Sequence, residues 1–265
     1  MAIEIQTEPT EILEDPRKYV MMIYGCPGVG KTTWASQIPG HYFAKTEEGT
    51  KGLRVWGSPI QKWDDFLELC VALGKYEGER KIHTLVVDTL ERLYWFCGDW
   101  LCKHKRFMVR GTPQSFEDIR HVPYGLGYAE TAKEILRVFN KINLDLGLGL
   151  VLIAHERERT IIWRGEELPK YEPDLPPSAV TALTAFCDAV GRFEIKQKIT
   201  KDKGDVVQVE EGRYQQWQPE FGTIAKHRLT GFPAILELPR DRGYQVYEQA
   251  FRDCVSNNMK GGETE

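Results

Sequence analysis

Four polar positions in this chain follow short apolar runs, and their types and order suit chemistry on a phosphate. The first is a loop, Gly25-Cys26-Pro27-Gly28-Val29-Gly30-Lys31-Thr32-Thr33, entered from Met21-Met22-Ile23-Tyr24. Gly25, Gly30, Lys31 and Thr32 fit the spacing G-x-x-x-x-G-K-[ST] of a phosphate-binding loop. That chemistry needs a strand to end, the backbone to curl round an anion, and a helix to start with its N–H groups aimed inward. Gly25, Gly28 and Gly30 allow backbone angles that a Cβ would forbid. Cys26, Pro27 and Val29 lend their backbone to the same cradle. Lys31 brings positive charge to the outer phosphates, Thr32 places a hydroxyl for Mg²⁺, and Thr33 is set for the next phosphate inward.

The other three positions are acids and a histidine. Thr46-Glu47-Glu48-Gly49 follows the strand-like His41 to Lys45. An acid just past that strand suits the orienting and deprotonation of an attacking water, against the plainer reading of a solvated turn. Thr84-Leu85-Val86-Val87 ends on Asp88, where a carboxylate near the loop can hold Mg²⁺ through water. Leu148 to Ala154 ends on His155, a group placed to sense a terminal phosphate, though a strand-end histidine is as often structural.

The elements that must position these groups read as alternating strands and helices. Strands are expected at 19–24, 41–45, 81–88 and 148–154, and helices at 32–38, 61–76, 90–107 and 128–146. In the second helix Trp63, Phe66, Leu67, Cys70, Val71 and Leu73 form an apolar stripe. Residues 111–127 read as a loop. From Cys187 the pattern is β-rich, with strands at 189–196, 206–209, 213–218, 223–228 and 234–238 and a turn at Lys203-Gly204-Asp205. A short strand at Ile3 to Gln6 and a closing helix over 244–255 complete the set. The domain reading is a polar lead-in at 1–18, one domain over 19–256, and a disordered tail at 257–265. The fold class is α/β: a mostly parallel sheet flanked by helices, with an antiparallel β-rich C-terminal extension. Ligands bind at the carboxyl ends of such strands, which is where Gly25, Glu47, Asp88 and His155 fall.

Two segments are basic. Lys103, Lys105, Arg106 and Arg110 surround the end of an aromatic helix with no acid among them. Arg157, Arg159, Trp163 and Arg164 interleave cations with aromatics, a composition that suits single-stranded nucleic acid or an ordinary exposed hairpin. The 265 residues suffice for one sizeable core, and the formal charge of −4 argues against a wholesale basic nucleic-acid binder. The six cysteines form no C-x-x-C pair, so neither a zinc site nor a disulfide framework is expected, and a reducing, cytoplasmic setting follows. No apolar run reaches the roughly 20 residues of a membrane helix.

The ordered set resembles the RecA-like ATPase core, and most closely the phage nucleotide-binding ATPases grouped with Sak-type single-strand annealing proteins. The pieces that carry the resemblance are the loop from Tyr24 to Thr33, Thr46-Glu47-Glu48-Gly49, Val86-Val87-Asp88-Thr89, Tyr124-Gly125-Leu126-Gly127-Tyr128, Leu152-Ile153-Ala154-His155-Glu156, and Ala225-Lys226-His227-Arg228-Leu229-Thr230-Gly231. The resemblance implies ATP and Mg²⁺ as cofactors. It implies Glu47, two residues before Gly49, as the catalytic glutamate, and His155 as the sensor. Lys226 and Arg228 resemble the K-x-R finger that a neighbouring subunit inserts in hexameric RecA-like ATPases. Residues 103–125 and 156–178 take the place of the two loops that face DNA. The function so implied is Mg-dependent ATP hydrolysis by a homo-oligomer, ring or filament, that binds single-stranded DNA in phage-type recombination, annealing or replication, in a bacterial host cytoplasm. A single-strand DNA-binding protein is a further implied partner, and no membrane is involved. The alternatives are an ATP-gated DNA-binding module with little turnover, an AAA+-type loader, which expects a helical lid, and a nucleoside kinase, which expects an arginine lid.

Overall fold

The computed structural model describes residues 11–202 and 205–261. In chain order the elements are β1 (Val20–Gly25), α1 (Lys31–Ser36), β2 (His41–Lys45), β3 (Gly57–Pro59), α2 (Trp63–Gly74), β4 (Thr84–Asp88), α3 (Leu90–His104), β5 (Phe107–Val109) and β6 (Thr112–Gln114). There follow α4 (Leu126–Asn140), β7 (Gly149–Trp163), β8 (Glu166–Pro173), α5 (Pro177–Phe186), β9 (Ala189–Asp202), β10 (Asp205–Gln216), β11 (Lys226–His227), β12 (Ile235–Glu237) and α6 (Gly243–Gly261). The main sheet has the order β12-β10-β9-β1-β7-β4-β2-β3, with β11 beside β9 and β8 beside β7. β9, β1, β7, β4, β2 and β3 run parallel, whereas β10, β11, β12 and β8 pair antiparallel. This is the mostly parallel α/β sheet expected, antiparallel extension included.

The central strands read as unbroken apolar runs because both their faces are buried. Met21 and Ile23 of β1, Val86 of β4, and Val151 and Ile153 of β7 pack towards α1 and α6, against Trp34, Tyr247 and Phe251. The intervening Met22 and Tyr24, Leu85 and Val87, and Leu150 and Leu152 face α2 to α5, against Trp63, Phe66, Tyr94 and Phe139. A period of two thus sends alternate residues into two cores, and the sheet's polar strand ends are left as the open edge.

Several local readings change. β7 does not stop at residue 154. It runs 15 residues to Trp163 and turns into β8, so the charged stretch after His155 is a hairpin. α5 lies in a proline-led stretch that gave no helical signal, with Pro177 at its first turn. The loop expected over 111–127 begins as the second strand of a small hairpin, β5–β6, followed by two 3₁₀ turns. α4 starts at Leu126 and widens into a π-turn at Lys141–Asp145. Val71 of α2 is 57% exposed, so the buried stripe there is Trp63, Phe66 and Leu69. α6 continues to Gly261, so the tail expected from residue 257 is helical for its first turn. The expected strand at Ile3 to Gln6, Lys203-Gly204 of the expected turn, and residues 262–265 lie outside the described residues. Among the described residues no helix is long and apolar enough to cross a membrane.

Candidate nucleotide-binding site

The sheet order brings the four polar strand ends together. Gly25 of β1 lies opposite His155 of β7, Ile153 of β7 opposite Asp88 of β4, and Asp88 opposite Lys45, two residues before Glu47. They open on a cavity of ≈ 340 Å³, within the roughly 300–1,000 Å³ of ligand sites. Pro27, Gly28, Gly30, Lys31, Thr32, Thr33, Glu47, Asp88 and His155 line it. Cys26 is exposed at the loop's shoulder, with Sγ 3.5 Å from Oε1 of Glu156. Val29 is buried in the core on the α1 side.

Glycine is required at two points of the loop for different reasons. At Gly30 φ is +104°, in the left-handed region. At Gly25 the limit is space, since a Cβ there would stand 2.3 Å from the carbonyl oxygen of Phe193 on β9. Lys31, only 6% exposed, folds its ammonium into the curl, donating to the carbonyl oxygens of Gly25 at 2.6 Å and Cys26 at 3.0 Å. Burial lowers its pKa, against the attraction of Glu91 and Asp88.

Thr32 Oγ1 donates to Asp88 Oδ2 at 2.9 Å. Asp88 is 6% exposed, and burial raises its pKa in spite of the Thr32 bond, with the charge of Glu47 adding to the rise. A buried carboxylate held beside a hydroxyl and short of positive charge is a fit for a hard divalent cation. Among the described residues no cluster of three His, Cys, Asp or Glu side chains could hold a metal by protein ligands alone. Mg²⁺ needs no such cluster where substrate phosphates and water complete its shell.

Glu47 accepts from Thr89 Oγ1 at 3.2 Å. Its turn is sewn to the end of β4: Thr46 N–H donates to Asp88 O at 2.8 Å, Thr89 N–H to Thr46 Oγ1 at 2.6 Å, and Thr46 Oγ1 to Thr89 O at 3.1 Å. Glu48 pairs with Lys51 in solvent and is not in the cavity wall. Of the two acids in the turn, the geometry brings Glu47 to the phosphate loop. Thr46 and Thr89 belong to this arrangement and stood in the quoted motifs without a role, whereas Glu91 stood in none. Glu91 reads in sequence as an ordinary acid in a helix's first turn. In the fold its Oε1 accepts the backbone N–H of His155 at 3.0 Å and meets Nδ1 of the same ring.

Lys226 and Arg228 do not reach this cavity. β11 pairs with Ala189 and Val190 of β9, which lie opposite Met21 and Met22 of β1. That is three to four residues, or about 10–13 Å, back from Gly25 toward the other end of the sheet. Lys226 Nζ donates to Ala185 O at 3.1 Å, and Arg228 Nη1 pairs with Asp188 Oδ1 at 3.0 Å.

The basic segments divide. Arg157 and Arg159 turn their guanidinium groups onto the buried Glu172, at 2.9 and 2.8 Å, and Lys170 reaches its other oxygen at 3.1 Å. Arg157 also donates to Leu175 O at 2.8 Å. These cations build the hairpin's base. Its tip is different: Ile162 is 77% and Trp163 53% exposed, Arg164 sits at the turn, and the Trp163 ring meets Phe221 at 5.5 Å. In the other segment Lys105 pairs with Glu130, Arg110 donates to the Tyr124 hydroxyl at 2.9 Å, and Lys103 and Arg106 are exposed.

A search of curated proteins finds no match. Among solved structures, the KaiC-like protein PH0186 from the archaeon Pyrococcus horikoshii OT3 is similar over 84% of this chain and 91% of its own, at 16% identity and a TM-score of 0.43. The AAA_24 family of AAA domains matches residues 17–229. With that match across most of its length, the chain belongs to the AAA_24 family and is a P-loop ATPase of AAA type.

Proposed function

We propose that this protein hydrolyses ATP with Mg²⁺, binds single-stranded DNA, and works as an oligomer in phage-type recombination, annealing or replication. The observation that carries the reading is the path of β7. One continuous strand passes from His155 in the cavity to Trp163 and Arg164 at an exposed tip. A group that feels the terminal phosphate and a group fit to stack on a base share one rigid element.

In this mechanism Lys31 and the loop amides hold the outer phosphates. Thr32 and Asp88 would hold Mg²⁺, which would supply charge neutralisation. Glu47, fixed by Thr89, takes the proton of the attacking water. His155 donates to the terminal phosphate. Among the described residues the only lysine or arginine lining the cavity is Lys31, so charge developing on the transferred group calls for more. Lys226 and Arg228, at the far end of the sheet, can supply it only to another copy's site. Trp163, Arg164, Lys103, Arg106 and Arg110 make the DNA contacts, while Arg157 and Arg159 hold the hairpin that presents them.

Fluorescence anisotropy with a labelled oligonucleotide tests the DNA claim. Binding should strengthen with a non-hydrolysable ATP analogue and weaken about 10-fold or more in Trp163→Ala, on the scale of base–aromatic stacking. Affinity indifferent to both the analogue and Trp163 would remove DNA from the account. Tight, analogue-dependent binding with barely measurable turnover would instead favour a nucleotide-gated binding module.

A further inference from the structure

Glu91 lies in the first turn of α3, beneath the cavity and outside its wall. It is 9% exposed, and its Oε2 is buried with no hydrogen-bond partner. A carboxylate enclosed in this way is costly unless a cation stands beside it. Two side chains offer that charge. Lys31 directs its ammonium to Gly25 and Cys26, and a bound phosphate draws the same charge. His155 is the one that touches Glu91, through both its backbone N–H and Nδ1.

The pairing fixes what His155 can present. With Nδ1–H given to Glu91, Nε2 is the ring's remaining polar atom, and His155 lines the cavity. A neutral ring donating at Nδ1 carries a lone pair at Nε2, which repels a phosphate oxygen. Only the imidazolium donates at both nitrogens. We propose that Glu91 is a positioning residue that orients His155 and keeps it protonated, so that Nε2–H acts as a charged donor to the terminal phosphate. This rests on the ATPase reading of the site.

The groups facing the ring favour the proton. Glu91 comes from α3, Glu47 from beyond β2 and Lys31 from the loop, while Asp88 of β4 shares the cavity. Next along β7, Glu156 is turned to Arg192 at 2.6 Å. Three carboxylates therefore stand against one ammonium. The Glu91 bond is the largest influence, and it holds His155 above the ordinary histidine range.

Histidine NMR on the unliganded full-length chain tests the pair. The protein has six histidines, and His155→Gln assigns the signal. In the wild type His155 should keep its proton to a pH above the usual ~6.5. In Glu91→Gln, which keeps the shape and an acceptor, it should lose the proton about one pH unit lower or more. Turnover of Glu91→Gln should fall about 10-fold at pH 8, with KM for ATP within about threefold, and the gap should close toward pH 6. Glu91→Asp should recover part of the loss. A His155 titration unchanged in Glu91→Gln, or a turnover loss equal at both pH values, would overturn the proposal. So would a wild-type His155 that titrates at or below the ordinary value, a result that requires no variant to fold. If wild-type protein does not hydrolyse ATP, the ATPase reading fails and the NMR titration still decides the pair.

Discussion

Asp88 is where charge and burial conflict most openly. Its pKa is raised in the folded chain, chiefly by burial, so between the ordinary carboxylate range and the raised value the native state binds more proton than the unfolded one. Stability from this residue is therefore present at low pH and lost as pH rises through that window. Above that window the penalty is complete. Asp88→Asn should then melt higher than the wild type without Mg²⁺, by about 2–4 °C for each kcal/mol relieved, and the difference should vanish near pH 4. Adding Mg²⁺ with ATP should raise the melting temperature of the wild type more than that of Asp88→Asn. Thermal denaturation across pH checks both. Asp88 and Glu47 were legible because each follows an apolar run at the right distance from the loop. Glu91 was not, since its role depends on α3 swinging it under a histidine 64 residues away.

The hairpin β7–β8 shows how an element separates stability from contact. Glu172, 5% exposed, gathers Arg157, Arg159 and Lys170 at its base. Burial opposes its ionisation, but the bonds from Lys170 and Arg157 win, and its pKa is lowered. Glu172→Ala should destabilise the fold by roughly 3 kcal/mol, since it leaves three cations without their shared partner. Arg164→Ala should leave the melting temperature unchanged and weaken DNA binding. A denaturant melt and an anisotropy titration of each variant separate these outcomes. The sequence offered two readings of this stretch, a basic nucleic-acid surface and an exposed hairpin, and composition could not choose because cross-strand pairing decides which cations stay free. The same limit hid α5, where a proline-led run of small residues has little periodicity, and concealed that β7 runs past His155. The starts of β1, β2, β4, β7 and β9 were legible to within a few residues because burial on both faces leaves an unbroken apolar signal, whereas the three-residue β3 left none.

At the scale of the whole molecule, sheet order governs. β1, β7, β4 and β2 stand side by side and gather Gly25, His155, Asp88 and Glu47 at one edge, while β11 carries Lys226 and Arg228 toward the other. His227 anchors that short strand, stacked on Phe232 at 3.8 Å and bonded to the Tyr247 hydroxyl at 3.1 Å. If Lys226 and Arg228 act on a neighbour, a chain lacking Glu47 and a chain lacking Arg228 are deficient in different halves of one site. Mixing Glu47→Gln with Arg228→Ala should give more ATPase activity than either alone, and no gain would confine each site to its own chain. The central claim is hydrolysis at the loop with Glu47 as the base, coupled to DNA. Its most direct measurement is the ATPase rate of wild type and Glu47→Gln, each with and without single-stranded DNA. The account predicts a wild-type rate that DNA raises, and a Glu47→Gln rate lower by about 100-fold or more at unchanged ATP affinity. A rate indifferent to both the substitution and the DNA would contradict it.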